Sequence, residues 1–141
     1  MNLANATLPT PSDIVAALMY YTGSTFLAAD PQKLHGAIRE AQSVCPLLNR
    51  FTFSQAGVAP MSRSFDDALS ILKLSRIVRM ENTDYRRYIL DADARNYMAT
   101  EILPLFSDEE KSSLAQAAAI VREACQGVSP VPTEVAKASV A

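Results

Sequence analysis

Residues 65–90 read FDDALSILKLSRIVRMENTDYRRYIL, and the spacing of their apolar side chains changes midway from helical to strand-like. Phe65, Ala68, Leu69 and Leu72 follow the i, i+3, i+4, i+7 spacing of one buried helix face. The first half of this stretch is therefore predicted to form an amphipathic helix.

The signals around this helix predict its two ends and the type of the next element. Ser64 is the predicted N-cap, and the helix should end near Ser75. Two short β-prone runs come next, at 77–80 and 85–90, and the polar residues 81–84 between them place an Asn at the turn of a hairpin. A helix followed by a hairpin is typical of the recognition helix and wing of a winged helix-turn-helix.

The flanking segments have start and stop signals for further helices. The predicted elements are a helix from the N-cap Ser12 to about Tyr21, ended by Gly23; a helix from Asp30 and Pro31 to about Val44; a short β-prone stretch at 51–53; a helix from Asp91 to about Leu103; and, after a Ser107 and Glu110 capping box, a helix to about Cys125. We therefore predict a mainly α protein with a small β-hairpin, a winged helix-turn-helix with two C-terminal helices. It should span residues 12–126, between flexible tails at 1–11 and 127–141.

Composition agrees with one ordinary globular domain. The chain has 141 residues, of which 49% are apolar and 20% charged, and its 13 basic and 15 acidic residues give a net charge of −2. A protein that coats nucleic acid would be strongly basic, so any contact with DNA must come from a local patch. The sequence has no signal-peptide pattern and no apolar run of the ~20 residues that cross a bilayer, and we expect a cytoplasmic protein.

The sequence offers little for catalysis. It lacks the glycine-rich, Walker A, zinc-protease and serine-hydrolase motifs. His35, the only histidine, is predicted to be a solvated surface residue on the side of its helix away from Leu34 and Ile38. The acidic run 108–110 suits the first turn of a helix without any metal, and Cys45 and Cys125 lack metal-binding spacing. We predict no enzymatic activity, no cofactor and no metal.

The basic side chains between positions 62 and 90 are a better indication of function. Six basic residues stand against four acidic ones there, although the rest of the chain is net acidic. A turn centred on Asn82 and Thr83 would place Arg79 opposite Arg86, and such a pair favours an anion or an acidic partner between the two arginines. The alternative is a wing edge whose arginines only prevent strand-to-strand aggregation. The residues predicted to contact a partner protein or nucleic acid are Arg63, Ser70, Lys73, Arg76, Arg79, Arg86 and Arg87.

The outward face of the predicted recognition helix disfavours DNA. It would present Asp66 and Asp67 beside Ser70 and Lys73, and carboxylates at the end of a helix that approaches the major groove repel phosphate. A protein partner is therefore the leading hypothesis. A winged-helix transcriptional regulator that binds DNA directly remains the alternative.

The last predicted helix has a wide apolar stripe. Leu114, Ala117, Ala118 and Val121 lie on it, and we predict that they form an oligomer interface, either of a homodimer or of a docking face for a larger subunit. The alternative is that the stripe covers the preceding helix.

The stretch quoted above resembles the small winged-helix subunits of bacterial operons that also encode a large ABC or SMC-like ATPase, among them the middle components of three-component ABC defence systems. The resemblance extends over about residues 12–125 as an order of elements. Such domains often have Gly at the junction of helix and wing, where this chain has Ser75 and Arg76. The resemblance implies an adaptor bound to partner protein subunits, including the ATPase, in an antiphage defence or DNA-processing complex.

Overall fold

The chain is mainly helical, as predicted. The computed structural model describes residues 8–23, 27–28, 31–54, 60–82 and 86–126. The predicted flexible tails therefore lie outside the described residues, except for residues 8–11. Within the described part, no helix combines the length and apolarity needed to cross a membrane.

The first helix, α1, spans Pro11–Thr22 and begins earlier than its sequence signals indicated. Thr10, and not Ser12, is the N-cap: its hydroxyl accepts from the N–H of Asp13 at 3.1 Å, and the Asp13 carboxylate accepts from the N–H of Thr10 at 2.9 Å. This reciprocal capping box satisfies two backbone donors and outcompetes a cap inside the helix. Gly23 ends α1 with φ 72°, as predicted, because glycine adopts the left-handed conformation without steric cost.

Helix α1 lies at the centre of the core. Six consecutive residues, Ile14–Met19, are buried, which is more than the one face of an ordinary amphipathic helix. The reason is that α1 packs against two long helices, α3 (Arg63–Leu74) and α5 (Asp108–Gln126). A helix that is covered on several sides must be apolar nearly all round.

The C-terminal end of α1 is closed by two arginines from distant parts of the chain. Arg95 Nη1 donates to the Tyr20 carbonyl at 3.3 Å, and its guanidinium stacks over the Tyr20 ring at 4.4 Å. Arg122 Nη1 donates to the carbonyls of Thr22, at 2.7 Å, and Tyr21, at 3.4 Å. Both cations also oppose the negative end of the helix dipole.

Burial raises the pKa of the Tyr21 hydroxyl, and the neighbouring Tyr20 and the Asp108 carboxylate raise it further.

The second helix, α2, spans Pro31–Ala41 and packs against α5. It ends before the predicted Val44, and its predicted N-cap, Asp30, lies outside the described residues. A 3₁₀ helix at Pro46–Arg50 comes next. The β-prone stretch at 51–53 is not a strand, and the only pairing nearby in the described residues is a single bridge between Ser54 and Met61.

Three short strands pair antiparallel. They are β1 (Leu27–Ala28), β2 (Arg79–Asn82) and β3 (Arg86–Ile89), in the spatial order β1–β3–β2. The pairing of β2 with β3 follows α3 directly along the chain, where a hairpin was predicted. The sequence did not predict β1, because two residues are too few to show an alternating pattern.

Two helical segments come after the strands. Asp91 caps α4 (Ala92–Tyr97), as predicted, by accepting from the N–H of Ala94 at 2.9 Å. The chain continues through a π-helical turn at Met98–Ile102 and a 3₁₀ turn at Leu103–Leu105. The α-helix therefore ends before the predicted Leu103, and Pro104, which has no N–H to donate, lies inside the 3₁₀ turn. The predicted capping box at the start of α5 is present: Ser107 N–H donates to Glu110 at 2.8 Å, and Glu110 N–H donates to the Ser107 hydroxyl at 3.1 Å.

Candidate functional site

Helix α3 carries the residues that the sequence singled out, and its own cap and buried face set its orientation. The N-cap is Ser62 and not Ser64: the Ser62 hydroxyl accepts from the N–H of Phe65 at 3.1 Å. The four apolar residues predicted for its inner face are at most 3% exposed, as expected from their spacing. The opposite face of α3 is consequently turned to solvent.

His35 is not the solvated residue that the sequence predicted. It is 1% exposed, and its Nδ1 accepts from the backbone N–H of Ser62 at 2.9 Å. Its Nε2 lies 2.9 Å from Asp66 Oδ1. Because a backbone donor occupies Nδ1, the ring proton must be on Nε2, and a neutral His35 donates to the Asp66 carboxylate.

This pair connects two helices, α2 and α3. The His35 ring also contacts the Phe65 ring edge-on, with 5.1 Å between centroids and an angle of 83°. Both ring nitrogens are already hydrogen-bonded inside the protein, so neither is available to take a proton from a substrate. The interaction therefore holds the N-terminus of α3 on α2.

The structure places most of the predicted contact residues on the surface around α3. Arg63, Ser70, Lys73 and Arg76 are exposed, and the Lys73 ammonium lies 5.8 Å from the centre of the Tyr88 ring. Arg79 is 59% exposed, and its Nη2 lies 3.5 Å from Asp91 Oδ2 in a surface ion pair, an interaction of small energetic value. The side chains of Arg86 and Arg87 lie outside the described residues.

The predicted facing of Arg79 and Arg86 across the hairpin is wrong. The Cα partners are Arg79 with Ile89, Met80 with Tyr88, Glu81 with Arg87, and Asn82 with Arg86. This register puts an acidic residue, and not a second arginine, opposite Arg87, and opposite charges are the favourable choice for directly paired positions. Within β2 and β3, no two arginines are directly paired, so these strands do not provide the predicted pair of arginines around an anion.

Arg76 adopts a backbone conformation that usually belongs to glycine. Its φ is 66°, the only positive φ among the described residues other than glycine. The Arg76 N–H donates to the Lys73 carbonyl at 3.1 Å, and the Ile77 N–H donates to the Leu72 carbonyl at 3.0 Å. These two bonds form a Schellman motif, which closes α3 with Arg76 at the position that helices most often fill with Gly.

Sequence reasoning missed the apolar part of the exposed α3 face. Ile71 is 53% exposed and Leu74 is 84% exposed, and Tyr97 of α4 is 45% exposed. The signal was present in the sequence, since Ile71 and Leu74 lie outside the four-residue buried stripe. Apolar residues of this size in solvent indicate a surface used for interaction when they are clustered.

Ile71 and Tyr97 line a groove of about 590 Å³ between α3, the start of α1 and the π-helical turn. It is lined by Ser64, Asp67, Ala68, Ile71 and Leu72 of α3 and by Ser75, the C-cap of this helix. The remaining lining comes from residues 10–13, Ile77, Tyr97 and Ile102. The groove and the exposed α3 residues beside it form the candidate functional site.

The predicted oligomer interface on α5 is wrong. Leu114, Ala117, Ala118 and Val121 are at most 1% exposed within the single chain. Helix α5 packs against both α1 and α2, so its wide apolar stripe is needed to cover two helices. The alternative, in which the stripe covers only the preceding helix, is also too narrow, because α5 contacts α1 and α2.

A comparison of the chain with protein-family models, curated proteins and solved structures finds no match.

Proposed function

We propose that the protein is a non-catalytic winged-helix adaptor subunit, which binds another protein through the exposed face of α3. The winged-helix assignment is supported by α3 and the antiparallel strands β2 and β3 that follow it, and by β1, which extends this pair to three strands. The connection from α2 to α3, residues 42–62, is longer than the turn of ~3–4 residues in a simple helix-turn-helix. The proposal therefore rests on α3 itself and not on the pair of helices.

The observation that carries the proposal is the chemistry of the exposed α3 face. Ile71 and Leu74 present apolar surface there, and the carboxylates of Asp66 and Asp67 are exposed on the same helix. Phosphate groups would be repelled by the carboxylates and would gain nothing from the apolar side chains. A protein surface can bury both kinds of group, with apolar contacts at its centre and polar ones at its rim.

The resemblance to small subunits of bacterial ABC or SMC-like ATPase systems suggests the partner. We propose that the adaptor joins such an ATPase in an antiphage defence or DNA-processing complex. The test is whether the operon of this chain encodes a large ABC or SMC-like ATPase and, if it does, whether that ATPase co-purifies with the chain after co-expression. Replacing both Ile71 and Leu74 with Asp should abolish co-purification, whereas replacing both Ala115 and Ala119, which are exposed on α5, with Asp should not.

A direct DNA-binding regulator is the alternative, and the exposed Arg63, Arg76 and Arg79 favour it. The two functions differ in their response to salt. A regulator should bind duplex DNA with an affinity that falls steeply between about 50 and 200 mM salt, because phosphate contacts release counterions. Fluorescence anisotropy with labelled duplex DNA measures this. Weak DNA binding throughout that range supports the adaptor, and tight, steeply salt-dependent binding supports the regulator.

A further inference from the structure

The groove beside α3 has the length of a helix-binding site. Its α3 wall begins at Ser64 and ends at Ser75, and the lining positions recur at helical spacing along one side of the helix. Eleven steps along an α-helix cover roughly 16 Å, or three turns. A partner helix of three turns or more would therefore contact this wall along its whole length.

The buried residues that line the groove are apolar: Ala68, Leu72 and Ile102. Ile71 and Tyr97, which also line it, are partly exposed. Apolar anchors spaced at i, i+3 or i+4, and i+7 on an amphipathic helix fill grooves of this kind. A bound helix would cover Ile71 and Tyr97 and so take two large apolar side chains out of contact with water, which favours binding.

The charge of the groove selects the polar residues of that helix. Asp13 and Asp67 line it, and no lysine, arginine or histidine does among the described residues. Asp67 is exposed, and the Asp13 carboxylate accepts from the N–H of Thr10 at the start of α1. Acidic rims attract cationic side chains and exclude acidic ones.

We propose that this groove binds a basic amphipathic helix of a partner protein, with apolar anchors against Ile71 and Tyr97 and with Lys or Arg beside Asp13 and Asp67. The inference deepens the proposed adaptor function, on which it rests, because it names the site and the chemistry of the partner segment.

The probe is a displayed library of helical peptides of about 18 residues, five turns. Leu is held at every third and fourth position, and the remaining positions vary among Lys, Glu, Ser and Ala. Selection against the full chain should enrich peptides with Lys next to the apolar stripe. An absence of binders, or binders without a preference for Lys over Glu, would overturn the proposal.

Variants of the full chain locate the binding of the selected peptide. Ile71→Asp should weaken it at least about tenfold, a typical loss for a central apolar contact. Ala119→Asp is the matched control: it adds the same charge at an exposed helical position, but Ala119 lies on α5, which lines no part of the groove. The peptide should bind this variant within about twofold of the parent, a difference under half a kcal/mol. Equal losses in both variants would place the peptide outside the groove and overturn the proposal.

A second pair of variants tests the charge. Asp67→Lys should reverse the preference, so that a Lys-to-Glu version of the peptide binds better than the original. Glu123→Lys is the control, since Glu123 is exposed on α5, a helix that lines no part of the groove. Unchanged preference in Asp67→Lys contradicts the charge argument.

Two further measurements separate other outcomes. Circular dichroism melts establish that each variant is folded, as expected for replacements at exposed positions, and Ile71→Ser replaces Ile71→Asp if the latter unfolds. Light scattering tests a second copy of the chain as the occupant: a dimer that Ile71→Asp converts to a monomer would overturn the proposal. If the peptide binds as predicted but no ATPase co-purifies, the groove assignment stands and the proposed partner is wrong.

Discussion

Replacing His35 with Ala should lower the free energy of unfolding by about 3–5 kcal/mol, which is a large part of the stability of a small domain. The imidazole is 1% exposed, so its removal leaves a cavity beside Phe65, at a cost of about 2 kcal/mol, the lower end for large buried side chains. The backbone N–H of Ser62 also loses its acceptor inside the protein, which costs about 1–3 kcal/mol.

The two contributions can be separated with conservative variants at the same position. The Asn side-chain oxygen occupies nearly the place of Nδ1, so His35→Asn retains an acceptor for Ser62 and loses mainly the packing of the ring. The Gln amide lies nearer the place of Nε2, so His35→Gln can still reach Asp66 but not Ser62. We expect Asn to be more stable than Gln or Ala, even though helix propensity favours Ala over Asn by up to about 0.7 kcal/mol.

The measurement is urea unfolding followed by circular dichroism, with free energies obtained by linear extrapolation. Asp66→Asn is the control for the exposed side of the interaction. Its side chain is 56% exposed and the new amide oxygen can still accept from Nε2, so the loss should stay within about 1 kcal/mol. The reasoning is refuted if His35→Asn is no more stable than His35→Ala, or if Asp66→Asn is as destabilising as His35→Ala.

Two other changes test how the helices end. Arg76→Gly should raise the free energy of unfolding by roughly 0.5–1 kcal/mol in urea titrations, because relief of a positive φ worth about 1–2 kcal/mol exceeds the entropy cost of glycine. Arg76→Ala keeps the strain and should change little, and a Gly variant no more stable than the Ala variant would contradict the backbone argument. Arg122→Ala should lower the melting temperature through a loss of about 1–2 kcal/mol, since Arg122 donates to two carbonyls at the end of α1. The control is its exposed neighbour: Glu123→Ala should change the free energy of unfolding by less than about 0.5 kcal/mol. If Arg122→Ala and Glu123→Ala have equal effects, the hydrogen bonds of Arg122 to the end of α1 contribute little to stability.

Signals that act within one helical turn were readable from the sequence. Gly23, Asp91 and the Ser107–Glu110 capping box end or begin helices where they were expected to. The inner face of α3 was also predicted correctly. In each case the interacting groups are three or four residues apart, so local sequence contains both partners. The caps of α1 and α3 were misplaced by two residues, because each segment offered two hydroxyl side chains close together.

The exposed site required the tertiary structure. The apolar groove is formed by the start of α1, by α3 and by the π-helical turn, and no single segment contains it. Ile71 and Leu74 were visible in the sequence as apolar residues outside the predicted stripe, but only the packing of α1 on one side of α3 shows that the other side remains open.

Composition, helix periodicity and capping residues therefore determined that the chain is mainly helical and where most of its helices lie. Only the tertiary structure decided that His35 is buried and that the α5 stripe belongs to the core. It also decided the strand register, in which Arg87 pairs with Glu81, and Arg79 pairs with Ile89. It also brought Arg122 to the end of α1, across 100 residues of sequence. The physical reason is that burial, strand register and such long-range caps depend on which distant surfaces pack together, and hydrophobic packing has no directional signal within a local stretch of sequence.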